Sequence, residues 1–161
     1  LAQVLCMAVL SLGYARAEAA CEHMDIVVEA AEHYELDPAL MVALIRVESR
    51  WKATAVSRAN ACGLTQVLAK YTRPRISCKK LKDPKTSIWI GAKKLKYWIY
   101  KYGKGNLRTG LCGYNAGFRC KGRNKNKTGY YRYAPKVLKY RKQLVKEMDN
   151  IITEENESQT P

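Results

Sequence analysis

Apolar positions in this chain recur mainly with a helical period, so the elements it predicts are almost all helices. From Glu22 to Leu36, apolar Ile26, Ala30, Ala31 and Tyr34 alternate with an acidic stripe of Glu22, Asp25, Glu29 and Glu32. That is the pattern of an amphipathic surface helix. A second helix is expected to start at Asp37-Pro38, with aspartate as N-cap and proline at the first helical position, and to run toward Trp51. Residues 52 to 82 hold Gly63 and Pro74 and lack sustained periodicity, apart from a short helix expected around Leu64 to Tyr71. The clearest helix is Pro84 to Tyr102. Ile88, Ala92, Leu95, Trp98, Ile99 and Tyr102 form its apolar side, lysines line the other, and Gly103 is placed to stop it. A companion is expected from Asn106 to about Tyr114, then a surface loop from Gly117 to Gly129. A last helix follows Pro135 with Val137, Leu138, Arg141, Leu144, Val145 and Met148 on its core edge. There is no internal repeat. Short connections between amphipathic helices predict a single, compact, mainly α domain with a cleft.

The two ends differ in kind. Val4 to Leu12 is apolar but too short to span a bilayer, and the triplets Ala15-Arg16-Ala17 and Ala17-Glu18-Ala19 follow it. Residues 1–20 are therefore expected to be a secretory signal peptide, residues 21–150 the folded domain, and residues 151–161 a disordered acidic tail. A buried N-terminal helix is the other way to use such a segment. Export implies an oxidising compartment in which cysteines pair. Without the leader, Cys21, Cys62, Cys78, Cys112 and Cys120 remain, which gives two bridges and one leftover thiol, with partners that order alone does not fix. No C-x-x-C pair occurs, and His23 and His33 have no ligand spacing to each other, so neither a metal site nor a cofactor is expected.

Charge narrows the chemistry. The 161 residues carry a formal net charge of +15. From Ser49 to Lys146 there are 27 lysines and arginines and one acid, Asp83. Asp83 precedes Pro84 and is placed to cap the next helix. Glu48 is a different case, because helical spacing sets it on the stripe of Leu40 and Leu44. A carboxyl on an apolar face loses hydration, which raises its pKa toward the range in which it can donate a proton near neutrality. The plainer alternative is a boundary glutamate paired with Arg46 or Arg50. A two-carboxylate glycosidase needs acids on both sides of its sugar, so an enzyme of this composition acting on a glycosidic bond is expected to use one carboxyl group. The basic residues are scattered over several segments and form no reading helix, which argues against a nucleic-acid partner. They suit a polyanionic surface instead.

Glu48-Ser49-Arg50-Trp51, Ala55-Val56-Ser57, Gly63-Leu64-Thr65-Gln66, Asp83-Pro84 leading to Ile90-Gly91-Ala92, and Gly113-Tyr114-Asn115-Ala116-Gly117 occur in that order. Together they strongly resemble the soluble lytic transglycosylase family, lysozyme-like enzymes that cleave peptidoglycan. The resemblance covers about residues 23 to 145, and its specificity lies in joint order and spacing. It implies a lysozyme-like helical domain. It also implies that Glu48 is the sole catalytic acid and base, that Ser49 supports it, that Gln66 binds substrate near the scissile bond, and that Tyr114 and Asn115 orient the glutamate and line the cleft. Tyr133, in Tyr133-Ala134-Pro135-Lys136-Val137, resembles the family tyrosine that precedes the last helix. Two departures stand out. Thr65 occupies a position where the family usually has methionine, and the stretch Lys127 to Tyr131 lengthens the usual spacing, leaving Tyr130, Tyr131 and Tyr133 as candidates for one role. Taken singly, Gln66 could be a surface amide, Tyr114 a core ring and Ser49 a helix-end hydroxyl bonded to its own backbone.

The reaction so implied cleaves the β-1,4 bond between N-acetylmuramic acid and N-acetylglucosamine and closes a 1,6-anhydro ring without water. A lysozyme-type hydrolase on the same scaffold and a non-catalytic basic wall-binding module are the rivals. The partners expected are peptidoglycan strands and a secretion, conjugation or phage assembly, for an exported, periplasmic or wall-associated monomer with no membrane segment in its mature chain.

Overall fold

In the structure, a computed structural model describing residues 1–120 and 128–158, the chain wraps around one helix. This is α4 (Pro38–Ser49), whose residues Ala39 to Ile45 are all buried. Buried all round, it carries little amphipathic contrast. Asp37 caps it by accepting a hydrogen bond from Ala39 N at 2.9 Å through Oδ1, while its Oδ2 pairs with Arg141. One carboxylate thus satisfies an orphan helix donor and ties the start of α4 to the last helix, α8 (Ala134–Ser158).

The expected acidic helix is present as α3 (Met24–His33), and a short helix, α2 (Ala17–Glu22), precedes it within the leader-like segment. They share His23 as the residue between them. Around α4 the remaining helices are α1 (Ala2–Ser11), α5 (Cys78–Leu81), α6 (Pro84–Lys96) and α7 (Leu107–Ala116). Asp83 caps α6 as its sequence context implies, accepting from Thr86 N at 2.8 Å and Thr86 Oγ1 at 2.7 Å. The helical path continues to Tyr102, but Tyr97–Tyr102 is wound as a π-turn, closed by Gly103 N donating to Trp98 O at 2.8 Å. Asn106 caps α7 through Thr109 N at 2.9 Å.

Three expectations are corrected. Leu64 to Tyr71 is not a helix: β1 (Ala61–Cys62) and β2 (Val67–Leu68) pair as a small antiparallel hairpin, and only Ala69–Tyr71 forms a single 3₁₀ turn. Gly63 at φ 79° and Gln66 at φ 51° turn the chain through the left-handed region, which a helix cannot contain. The acidic tail is helical through Ser158, because Ile151 still finds the core and α8 simply continues. Cys21 is also not a leftover thiol. It is bridged to Cys6, alongside Cys62–Cys78 and Cys112–Cys120.

The segment with leader-like composition is folded onto the domain. Leu5, Ala8 and Val9 of α1 are fully buried, α1 packs against α8, and Ser11 Oγ donates to Glu147. Arg46 is held between the rings of Tyr14 and Tyr140, 3.8 and 3.9 Å from their centroids. After α7, Gly117–Cys120 forms a 3₁₀ turn, and most of the expected Gly117–Gly129 loop lies outside the described residues. The chain re-enters as a π-turn, Gly129–Tyr133, that runs directly into α8. Among the described residues no helix is long and apolar enough to cross a membrane.

Candidate active site

Glu48 stands in the last turn of α4, just before Arg50 and Trp51 take left-handed backbone at φ 51° and 63° and lead the chain away. Its Oε1 accepts a hydrogen bond from the hydroxyl of Tyr133. Among the described residues Glu48 takes part in no ion pair. The described residues hold two such pairs, Lys96–Glu35 and Arg141–Asp37, while Arg46 is committed to its two tyrosine rings. The boundary-glutamate alternative, with Arg46 or Arg50 as partner, is therefore not what the fold builds.

Burial pushes the Glu48 carboxyl up from its ordinary 4.5 to about 7, and the Tyr133 hydroxyl, by stabilising the carboxylate, pulls in the opposite direction. Tyr133 and Tyr114 are both held well above the usual phenol range, first by burial and then by the charge of Glu48. Both rings thus remain neutral donors at any pH at which the carboxyl titrates.

Tyr114, from α7, sits near enough to feel Glu48 but spends its hydroxyl elsewhere, donating to Thr65 O at 2.7 Å. Thr65 is fully buried. Its Oγ1 donates to Ser87 O at 2.7 Å, and its N donates to Ser87 Oγ at 3.1 Å. The hairpin is thereby fastened to α6 on one side and α7 on the other. Gly63 makes that approach feasible, since a Cβ there would lie 1.8 Å from Leu81 O.

Of the six residues singled out from sequence, the fold gathers Glu48, Tyr133 and Tyr114 around one carboxyl. The other three face differently. Ser49 Oγ donates to Ile45 O at 3.2 Å, so its hydroxyl serves the helix end. Gln66 Nε2 donates to Gly63 O at 2.9 Å and Ala55 O at 3.2 Å, bracing the hairpin turn. Asn115 is exposed on α7, beside Tyr114. Among the three tyrosine candidates, Tyr133 takes the carboxyl. Tyr130 and Tyr131 flank the Arg108 guanidinium at 4.4 and 5.3 Å, and Tyr131 is 60% exposed. Ser87 was not foreseen. Its only trace in the sequence is a small polar residue on the apolar side of α6, matched to the unusual Thr65. No group of three or more His, Cys, Asp or Glu side chains suited to a metal ion occurs among the described residues.

Comparison with known proteins agrees with this architecture. The family model described as "Transglycosylase SLT domain" matches residues 25–136, more than half of the chain. Among solved structures, an inactive mutant of the lytic transglycosylase Slt from Pseudomonas aeruginosa superposes with a TM-score of 0.66 at 23% sequence identity. That match covers 79% of this chain and 24% of the other, so the chain corresponds to about a quarter of that larger protein and shares its lysozyme-like fold there. With its caps, its central helix and its glutamate–tyrosine pair all inside or at the edge of the matched span, the chain belongs to the transglycosylase SLT family.

Proposed function

We propose that this chain is a peptidoglycan lytic transglycosylase in which Glu48 performs both proton transfers. The observation that carries this reading is the buried carboxyl itself, held by the Tyr133 hydroxyl and, among the described residues, in no ion pair, with burial raising it to about 7. Near neutral pH such a group is about half protonated and can serve as acid and then as base.

The bond cleaved is the β-1,4 link between N-acetylmuramic acid and N-acetylglucosamine. Protonated Glu48 gives its proton to the glycosidic oxygen as the bond to the anomeric carbon breaks, and the leaving sugar departs with a new hydroxyl. The resulting Glu48 carboxylate is stabilised by the Tyr133 hydrogen bond, and the oxocarbenium-like centre by surrounding dipoles and the substrate's own acetamido group. The carboxylate then removes the proton of the muramoyl C6 hydroxyl, whose oxygen bonds to the anomeric carbon and closes the 1,6-anhydro ring. Glu48 ends protonated, and no water is consumed. A second carboxylate has no task in this sequence, consistent with Asp83 being occupied as a helix cap.

The three disulfides suit an oxidising compartment, so we place the protein outside the cytoplasm, periplasmic or wall-associated, acting as a monomer on glycan strands. The formal charge of +15 would concentrate it on a wall bearing carboxylates and phosphates, an attraction that salt should weaken. A secretion, conjugation or phage assembly is the expected context for local wall opening. The test is release of soluble fragments from purified sacculi. Active protein should solubilise them, Glu48→Gln should slow this by roughly 10²- to 10⁴-fold, and near-normal release by that variant would remove Glu48 from the mechanism.

A further inference from the structure

Tyr133 reaches Glu48 from a turn that has its own support. Gly129 opens the π-turn Gly129–Tyr133, and a Cβ at Gly129 would lie 3.0 Å from Cys112 Sγ and 3.4 Å from Ala116 Cβ. The sulfur under that glycine belongs to the Cys112–Cys120 bridge, which spans the end of α7 and encloses Tyr114, Asn115 and Gly117. Cys112, Ala116 and Cys120 are buried and form a small cluster with Tyr102 and Tyr130 packed against it, separate from the main core. Arg108, also on α7, adds a second tie, donating from Nε to Tyr130 O at 3.0 Å. The route from the bridge to the carboxyl is therefore short: sulfur, Gly129, π-turn, Tyr133, Glu48.

We propose that the Cys112–Cys120 disulfide is a positioning device for the Glu48–Tyr133 pair, so that the enzyme reaches full activity only once this bridge is oxidised. The proposal rests on the reading of Glu48 as the catalytic acid. The bridge touches no substrate; it acts through the backbone of the turn. The other two bridges have different places. Cys6–Cys21 joins α1 to α2, and Cys62–Cys78 joins the hairpin to α5. Reduction by a dithiol delivers two electrons and two protons, breaks the S–S bond into two thiols and leaves the reductant as its own disulfide. The clamp on the end of α7 is then lost. A chain still in the dithiol state would thus hold its acid misaligned and be switched on when a disulfide-bearing oxidant exchanges with the two thiols, taking up their two electrons and two protons as its own dithiol.

The groups facing Glu48 are Tyr133 from the π-turn and Tyr114 from α7, with Tyr114 engaged by Thr65. Loosening the turn therefore weakens the Tyr133 hydrogen bond, which favours the carboxylate. Two readouts should move together: turnover falls, and the pH at which activity is half lost on the alkaline side rises.

The experiment compares Cys112→Ser/Cys120→Ser, Gly129→Ala and Cys6→Ser/Cys21→Ser with the unaltered chain, on sacculi across pH, with folding followed by circular dichroism. The first two should lose turnover on the order of tenfold to a hundredfold, the scale of a misplaced reacting group, with the alkaline midpoint displaced upward. The third should lower Tm and leave the midpoint in place. Wild-type turnover and midpoint in the folded Cys112/Cys120 variant overturn the proposal. If that variant does not fold, an unmoved midpoint in Gly129→Ala, which keeps the bridge but crowds the turn, overturns it equally. An unaltered, oxidised chain that releases nothing from sacculi counts against the proposed function instead, so the two failures are distinguishable.

Discussion

Replacing Glu48 by glutamine should destroy activity and at the same time stabilise the fold at alkaline pH. The folded carboxyl titrates at about 7 against an ordinary 4.5, because burial penalises its charged form. A group whose folded pKa is raised favours folding while it is protonated, so the stability is complete below pH 4.5, declines through the interval, and is lost once pH passes 7. At about 1.4 kcal/mol per pH unit, that interval corresponds to at most about 3.5 kcal/mol. For a chain of this size it amounts to roughly 7–14 °C in Tm. Glutamine keeps the shape and still offers an oxygen to the Tyr133 hydroxyl, but it does not titrate. Thermal unfolding of both proteins from pH 4 to 8.5 is the assay. The two should unfold alike near pH 4, and the glutamine variant should be the more stable at pH 8, while the same samples show it inactive on sacculi. Parallel Tm curves across the whole range would show that Glu48 is hydrated in the folded protein, and the acid argued from its burial would be lost with it.

The remaining predictions concern its neighbours. Tyr133→Phe removes the donor that favours the carboxylate, so turnover should fall about tenfold or more and the alkaline limb of the pH profile should move up by about one to two units, since a hydrogen bond to a charged group contributes about 1.5–3 kcal/mol; a downward move would contradict the assigned direction. Asp83→Asn keeps the cap on α6 and deletes the charge, so activity and Tm should stay near wild type, and a large loss of turnover at unchanged Tm would reveal a second working carboxylate. A chain lacking residues 1–19 loses Leu5, Ala8 and Val9 from the core and leaves Cys21 without Cys6. It should show one titratable thiol and a lower Tm where the full chain shows none, and an unchanged Tm would mean that α1 contributes nothing to the domain.

The helices whose ends are written in side-chain chemistry were legible in the sequence. Asp37-Pro38, Asp83-Pro84 and Asn106 each cap where their residue types imply, and Glu48 falls on the stripe that buries it. What escaped was of two kinds. The hairpin around Thr65 depends on left-handed backbone at Gly63 and Gln66 and on bonds to Ser87, 22 residues away, neither of which has a periodic signature. Tyr133 is one candidate of three in the sequence because the stretch Lys127 to Tyr131 lengthens the family spacing, and it takes the folded π-turn Gly129–Tyr133 to bring one of the three hydroxyls to the carboxyl. Ser49 and Gln66, whose roles came with the family resemblance, direct their polar groups at backbone carbonyls in the free protein. The N-terminal helix has the apolar run and small-residue triplets of a leader, and composition alone does not distinguish a segment that is removed from one that packs.

In the proposed reaction one carboxyl both opens the glycosidic bond and closes the ring, leaving water out of the product. Digesting purified sacculi in water enriched in heavy oxygen, and weighing the released muropeptides by mass spectrometry, tests this directly. Anhydromuramoyl ends that carry no label from the solvent are expected. Reducing ends bearing one heavy oxygen each would show hydrolysis and contradict the proposed reaction.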